Sequence, residues 1–329
     1  MIKTAYVFPG QGAQFVGMGK ESSELDSSIG NIYKKADEIF SDFHKNSTLD
    51  IKSISQISFQ GPEELLTKTI YTQPAILSLS IALAFKLKQE IKNAKIFAPS
   101  YVAGHSLGEF SALYMADVLS LKDVLQLVCK RAQLMENAPS GAMSAIVGCD
   151  ETQLNQLLQG QEGVSVANFN APDQIVITGT KSGVENFNSL VTDFSNSQNL
   201  KIRVIPLNVG GAFHSPLMQS ASDEFADLID KCVFNTASVP IIQNTVAQPV
   251  TDPVAIKENL KKQMCGSVRW TETVKFLLAK PEEVQEVWEI GPGKVLAGLM
   301  KKQDRRFPTK NISSSQELAD ILNPQALAS

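Results

Sequence analysis

The sequence predicts an α/β protein: a large domain with a mostly parallel sheet covered on both faces, into which a small subdomain is inserted. Three observations carry this. Short apolar strands alternate with helix-length segments up to about residue 140 and again after Pro206. Between about Gly141 and Pro206 the order becomes strand, helix, strand, strand, helix, strand, the βαββαβ grammar of a ferredoxin-like unit. A glycine-flanked turn, Gly104-His105-Ser106-Leu107-Gly108, stands between a predicted strand and a predicted helix. The bounds that follow are 1–140 with 207–329 for the large domain and 141–206 for the insertion.

Thr4 to Phe8 reads as a buried strand, and Pro9-Gly10-Gln11-Gly12-Ala13-Gln14 as the loop after it. Thr72 is placed to cap a helix with Pro74 near its start, running to about Ile91 and apolar enough for burial. Tyr101 to Ala103 is a short strand, Gly104 to Gly108 the turn, and Glu109 to Ala116 a helix. Ser120 with Asp123 resembles a capping box opening a helix to about Asn137, which Pro139-Ser140-Gly141 ends. The insertion reads as strand Met143 to Gly148, helix Glu151 to Leu158, strands Val164 to Asn170 and Gln174 to Gly179, helix Ser182 to Phe194 and strand Lys201 to Ile205. The large domain resumes with helix Pro216 to Asp230, strand Val239 to Asn244, helix Pro253 to Met264, strand Val284 to Ile290 and a helix after Gly293. The serines at Ser22 to Ser28 and Ser313 to Ser315 read as surface loops.

Composition narrows the function. At 329 residues the chain has room for two domains, at roughly one per 150 residues. Hydrophobic residues at 43% and charged residues at 19% describe a globular protein, and 20 glycines and 15 prolines exclude collagen-like and linker-like classes. A net charge of -4 supplies no electrostatic footprint for nucleic acid. Cys129, Cys149, Cys232 and Cys265 form no CxxC pair and have few histidine companions, so no metal site is expected and they read as buried, reduced thiols. Met1 to Phe8 lacks the apolar core of a signal peptide. The longest apolar segment, Pro74 to Phe85, is interrupted by serines and falls short of the roughly 20 residues that span a bilayer. A cytoplasmic protein with no membrane attachment is expected.

The chemistry concentrates at Ser106. G-x-S-x-G between a strand and a helix is the context in which a sharp elbow presents the serine hydroxyl above a sheet, with helix N–H groups beside it for a developing oxyanion. A serine needs a base, and the chain offers three histidines. His44 lies in the polar stretch Ser41 to Ser47 and reads as a surface residue. His105 points away from its neighbour Ser106, which suits packing or support of the turn. His214, in Gly210-Gly211-Ala212-Phe213-His214-Ser215-Pro216, sits in a glycine-rich loop before a helix. Taken alone it would read as a structural histidine; beside the elbow it is the favoured base. A third group to orient it is not evident, because Asp150 and Asp173 fall inside the insertion; a backbone carbonyl is the alternative. Gly10-Gln11-Gly12 lacks the third glycine of a dinucleotide fingerprint, and Gly291-Pro292-Gly293-Lys294-Val295 lacks the earlier glycine of a phosphate loop, so both read as tight turns at the C-terminal edge of the sheet.

Phe8-Pro9-Gly10-Gln11-Gly12, Gly104-His105-Ser106-Leu107-Gly108-Glu109, Lys130-Arg131, Gly211-Ala212-Phe213-His214-Ser215, Val268-Arg269-Trp270-Thr271 and Glu289-Ile290-Gly291-Pro292-Gly293-Lys294-Val295-Leu296 together resemble the malonyl-CoA:acyl-carrier-protein transacylases, in order and over nearly the whole chain. The resemblance implies an α/β-hydrolase-like large domain with a ferredoxin-like insertion. It implies Ser106 as the nucleophile that becomes malonylated, His214 as its base, the main-chain N–H groups of Gln11 and Leu107 as the oxyanion hole, and Arg131 as the partner of the malonyl carboxylate. It implies that a main-chain carbonyl near Val268-Arg269-Trp270 orients the histidine; some members carry Gln where this chain has Arg269. The expected reaction is ping-pong transfer from malonyl-CoA to an acyl carrier protein, in fatty acid or polyketide synthesis, by a monomer without metal or nicotinamide. Phe213 and Leu107 are expected to limit acyl size.

Arg131 rises from a helix whose neighbours Leu127, Val128, Leu134 and Met135 are apolar. A guanidinium matches a carboxylate in bidentate fashion where lysine would not. The competing use is a structural salt bridge to a protein carboxylate. Lys261, Lys262, Lys301, Lys302, Arg305 and Arg306 form the basic clusters available to an acidic carrier protein. The alternatives are a carrier-protein acyl hydrolase, for which Arg131 has no use, a patatin-like lipase, which would not need His214, and a non-catalytic carrier-binding module, whose Ser106 would not react with a fluorophosphonate.

Overall fold

The computed structural model of the chain describes residues 2–51 and 53–322. Its strands are β1 (Thr4–Phe8), β2 (Tyr101–Gly104), β3 (Ala142–Val147), β4 (Val164–Ala171), β5 (Gln174–Gly179), β6 (Arg203–Pro206), β7 (Ile241–Ile242), β8 (Pro249–Val250), β9 (Glu286–Ile290) and β10 (Thr309–Ile312). Six of them form one sheet in the order β10-β9-β1-β2-β7-β8, parallel throughout except for the β7–β8 pair. β1, β2 and β9 are buried at every position, which is why they read as continuous runs rather than as alternation. The second sheet takes β4-β5-β3-β6, all antiparallel, so the four strands of the middle segment lie in the order second, third, first, fourth. Helices Glu151–Leu158 and Lys181–Ser197 cover it through Leu154, Val184, Phe187 and Val191.

The large sheet leans on the helix Thr69–Lys92, which is buried continuously from Thr69 to Ala84. By length and composition alone this helix could cross a membrane, yet 89% of its apolar window is buried inside the protein, and it is a core helix. It starts earlier than the sequence suggests. Thr72 does not cap it; its hydroxyl donates to the carbonyls of Leu66 (2.5 Å) and Lys68 (3.0 Å), bracing the chain from inside the first turn. Ser120 does cap the helix Leu121–Glu136, accepting from the Asp123 N–H.

Several expectations for the polar stretches are corrected. Asp26 caps a helix over Ser27–Phe43, whose Ile29, Ile32, Tyr33, Ala36 and Phe40 repeat at helical spacing and are buried; Ser22 is buried as well. His44 is 1% exposed, because it ends that helix with its ring packed against Phe40 and Phe43 at 4.5 and 5.0 Å. Ser315 begins the helix Ser315–Leu322, and Glu317 accepts from the Ser313 N–H and hydroxyl ahead of it. Lys20–Leu25, Ile54–Gln60, Glu63–Leu66 and Trp270–Leu278 are further helices, and β8 and β10 further strands, that the sequence reading passed over. The expected strand Val239 to Asn244 is reduced to β7, because Gln243 and Asn244 turn inward to hydrogen bond. Of the four cysteines, all free, Cys129 and Cys149 are buried and Cys232 and Cys265 are partly exposed.

Two backbone seams tie the second sheet and its flanking chain to the loops of the large domain. Ala167 and Phe169 of β4 bond to Val268, whose N–H donates to Ala167 O (2.8 Å) and whose carbonyl accepts from Phe169 N (2.9 Å). Ser140 bridges to Gly211, and Gly141 N donates to Gly210 O at 3.2 Å. Between the seams the turn after β2 is pressed against β1: a Cβ at Gly104 would fall on the backbone of Gly108, and a Cβ at Gly108 on the carbonyl of Phe8.

That contact makes Gly108→Ala a backbone collision rather than a filled void, and it should destabilise by about 1–3 kcal/mol or more. Gly298→Ala, on an exposed helical face with nothing within 4 Å of the new methyl, should be neutral or stabilise by up to about 1 kcal/mol. Urea unfolding of the two variants beside wild type checks both; equal midpoints would show that the turn can shift off β1.

Candidate active site

Phe8 and Gly104 end two paired parallel strands side by side, and the chain turns at once into the helix Gly108–Met115. Ser106 occupies this turn with φ +50°, a left-handed conformation that ordinarily costs a non-glycine residue about 1–3 kcal/mol. Neighbours hold it there. The Ser106 N–H donates to Asn244 Oδ1 (2.7 Å), Asn244 Nδ2 donates to the Gly104 carbonyl (2.6 Å), and the Ser106 carbonyl accepts from Gln263 Nε2 (3.0 Å). His105 turns away as expected: its Nε2 meets Asn170 Oδ1 of β4 at 2.7 Å and its ring stands edge-on to Trp270.

The serine hydroxyl faces His214. Oγ and Nε2 are 2.8 Å apart, and His214 is also held at positive φ, +59°, just beyond the Gly211 seam. Its Nδ1 lies 3.0 Å from the carbonyl of Gln263 and 3.1 Å from that of Gly266. Two acceptors can be satisfied only by a protonated Nδ1, which leaves the Nε2 lone pair toward the serine. Burial, and next the Arg131 charge, push the pKa of His214 down to about 3, so the ring is neutral at ordinary pH. No acid orients it. Asp150 caps its own helix and Asp173 pairs with Lys302. The orienting carbonyls lie just ahead of the segment named from the resemblance: Gly266 is two residues before Val268 and Gln263 five, while the Val268 carbonyl accepts from Phe169 N and the Arg269 carbonyl from Thr273 N and Oγ1.

Arg131 is 1% exposed. Its Nη1 donates to Gln73 Oε1 (2.7 Å), and its Nη2 to Ser106 Oγ (3.0 Å) and Gln263 Oε1 (3.1 Å), with the guanidinium 5.6 Å from the Phe110 ring. These partners are neutral oxygens, so the salt bridge to a protein carboxylate is not what holds it. Burial lowers its pKa to about 10, which leaves the charge in place. The nearest acid in the network is Glu109, also 1% exposed. Its Oε1 accepts from Gln243 Nε2 (3.0 Å), and its Oε2 from the Asn244 N–H (3.0 Å) and Gln263 Nε2 (2.9 Å). Burial raises the Glu109 pKa, and these donors and Arg131 oppose the rise.

Ser106, His214, Arg131, Gln11, Leu107 and Phe213 line one cavity of about 120 Å³. Gln11, Met135, Val209 and Phe213 also line an adjoining cavity of about 250 Å³ that reaches Lys68, Thr69 and Gly210. The structure brings together all six residues given a role from the sequence. Sequence reasoning missed Gln263, Asn244 and Gln73, which carry no local pattern, and gave no role to Glu109 although it stands in the quoted elbow. Among the described residues no group of three or more His, Cys, Asp and Glu could hold a metal ion.

The profile of the acyl transferase domain family matches residues 5–316. A malonyl CoA-acyl carrier protein transacylase of Bacillus subtilis is 42% identical over 325 residues, covering 97% of this chain and 96% of that protein. The crystal structure of the malonyl-CoA:ACP transacylase of Synechocystis is 39% identical with a TM-score of 0.84, covering 97% of this chain and 100% of the other. A malonyl-transacylase solved in complex with a type II polyketide-synthase acyl-carrier protein superposes with a TM-score of 0.85 at 33% identity, covering 98% of this chain and 99% of the other.

The neutral, buried His214 fixes the sign of a pH dependence. An unfolded imidazole takes up a proton as pH falls through about 6.5, whereas the folded one does so only near 3. In that window the unfolded chain binds more protons, so stability falls with falling pH. His214→Asn should flatten the decline between about pH 7 and 4.5, measured by urea unfolding; a slope parallel to wild type would mean that His214 titrates normally in the folded protein.

Proposed function

The chain belongs to the acyl transferase family and, within it, to the malonyl-CoA:acyl-carrier-protein transacylases, and from that premise we propose that it moves malonyl from malonyl-CoA to the phosphopantetheine thiol of an acyl carrier protein through a malonyl ester on Ser106. The observation that carries this reading is the buried Arg131 guanidinium, 3.0 Å from Ser106 Oγ and held by neutral oxygens. An acyl group ending in a carboxylate supplies the missing anion. An uncharged acyl group would not, which disfavours the hydrolase alternative.

Both half-reactions use the same parts. Ser106 Oγ gives its proton to His214 Nε2 and attacks the thioester carbonyl, while the main-chain N–H groups of Gln11 and Leu107 hold the oxyanion. The tetrahedral adduct collapses with cleavage of the C–S bond, and His214 returns the proton to the departing CoA sulfur. The carrier thiol then gives its proton to Nε2 and attacks the ester, and cleavage of the C–O bond restores the Ser106 hydroxyl. The carbonyls of Gln263 and Gly266 stabilise the imidazolium through Nδ1 in each step. Phe213 and Leu107, both lining the cavity, limit substituents on the malonyl carbon.

In this reading residues 141–206 are a ferredoxin-like insertion in an α/β-hydrolase-like domain of residues 1–140 and 207–329; the antiparallel strand order second, third, first, fourth supports it. The exchange is redox-neutral and is written with protein groups alone, so we assign it no metal or nicotinamide cofactor. The enzyme is taken to work as a cytoplasmic monomer, serving fatty acid or polyketide synthesis. Of the two basic clusters, Lys261 is already engaged by Asp230 and Glu258. Lys301, Lys302 and Arg305 border a surface depression; Lys302 pairs with Asp173 there, and Lys301 and Arg305 are the cations it offers an acidic carrier.

Ser106→Ala should form no malonyl adduct by intact-mass spectrometry and lose about 10⁴-fold or more in turnover, since nucleophile and base act as a unit; an adduct on the variant would overturn the assignment. Removing one partner of a desolvated ion pair costs about 3–5 kcal/mol, so Arg131→Ala should lose roughly 10²- to 10³-fold in malonyl kcat/KM while keeping acetyl transfer. Equal loss of both acyl groups would make Arg131 structural.

A further inference from the structure

Gln263 contacts His214, Arg131, Glu109 and the main chain of Ser106. Its carbonyl accepts from His214 Nδ1, its Oε1 from Arg131, and its Nε2 donates both to the Ser106 carbonyl and to Glu109 Oε2. What fixes this side chain is Glu109. The carboxylate receives three N–H groups, from Gln243, Asn244 and Gln263, with no acceptor facing it. Three converging donors are satisfied by a carboxylate anion; a neutral amide in its place would turn an NH₂ against at least one of them.

Of these donors, the Asn244 N–H belongs to the residue that holds the Ser106 N–H, and Gln263 belongs to the loop that holds His214. The carboxylate sits in the first turn of the elbow helix and so ties the nucleophile's turn to both loops around it. It also supplies a buried negative charge near Arg131 without bonding to it, so the guanidinium keeps only neutral oxygens as its direct partners.

Resting on the assignment of Ser106 and His214 above, we infer that Glu109 is a positioning residue: acting through Gln263, it sets the geometry of the Ser106–His214 pair while never touching the substrate. A displacement of about 1 Å at a reacting pair can cost about 10²-fold, so Glu109→Gln should lower kcat for malonyl transfer by about that factor. KM for malonyl-CoA should stay within about threefold, because Arg131 keeps Gln73 and the Ser106 hydroxyl as partners even where Gln263 shifts.

Fluorophosphonate labelling of Ser106 reads the pair without any carboxylate ligand. Glu109→Gln should slow it by a similar factor while circular dichroism and thermal melting show a folded protein, and Glu109→Asp, which keeps the charge, should fall between the two. Gln263→Met retains the main-chain carbonyl but breaks the link from the other end. It should slow labelling too, and the double variant should be no slower than Glu109→Gln alone. A folded Glu109→Gln that is labelled at the wild-type rate, or losses that multiply in the double variant, would overturn the inference. If Glu109→Gln does not fold, labelling of Gln263→Met at the wild-type rate does the same. Ser106→Ala separates the two levels: if it still transfers malonyl, the reading of the site fails; if it is dead while Glu109→Gln is unimpaired, only the role of Glu109 fails.

Discussion

A cation taken out of water beside a hydroxyl and an imidazole is the constraint around which this molecule is arranged. Arg131 is desolvated on an apolar helix, and a buried guanidinium must find oxygen partners or be expelled. It finds them on three separate pieces of chain: the core helix Thr69–Lys92, the elbow after β2, and the segment following the helix Pro253–Lys262. Each partner is a neutral oxygen. The charge is therefore solvated without being neutralised, and the same charge helps keep His214 unprotonated.

The backbone answers the same demand. Left-handed φ at both Ser106 and His214 is unfavourable in isolation, and hydrogen bonds to Asn244, Gln263 and Gly266 over-determine both residues. Rigid packing of Gly104 and Gly108 under the elbow removes the remaining freedom. The hydroxyl and imidazole meet at 2.8 Å because the turns that carry them cannot relax elsewhere.

How much of this could be read in advance follows from range. The elbow was legible because its glycines, serine and following helix are contiguous, and His214 because three histidines left few choices. His44 misled because a polar sequence neighbourhood says little about the far side of a helix, where Phe40 and Phe43 wait. Ser27–Phe43 was hidden by its serines although its apolar period was present. Glu109 and Gln263 lie 154 positions apart, and nothing local to either announces the other. Similarly, the carbonyls that hold His214 lie 49 and 52 positions away, at Gln263 and Gly266, and nothing local to either marks it.

The seam at Gly141 and Gly210 has a consequence for how the chain reaches this state. Ser106 and His214 are 108 positions apart, and a loop of that length must close before they meet. Closure entropy grows as the logarithm of loop length, about 0.6 kcal/mol for each doubling. Once the four antiparallel strands are paired, Gly141 N and Gly210 O lie within hydrogen-bonding distance, and the whole intervening segment no longer counts toward the search. What remains free is little more than the stretch from the elbow to Ser140, most of it in the helices Gly108–Met115 and Leu121–Glu136. The middle segment thus acts on the folding path as a shortcut between distant parts of the chain, and lengthening its β4–β5 hairpin should leave the rate of site assembly almost unchanged.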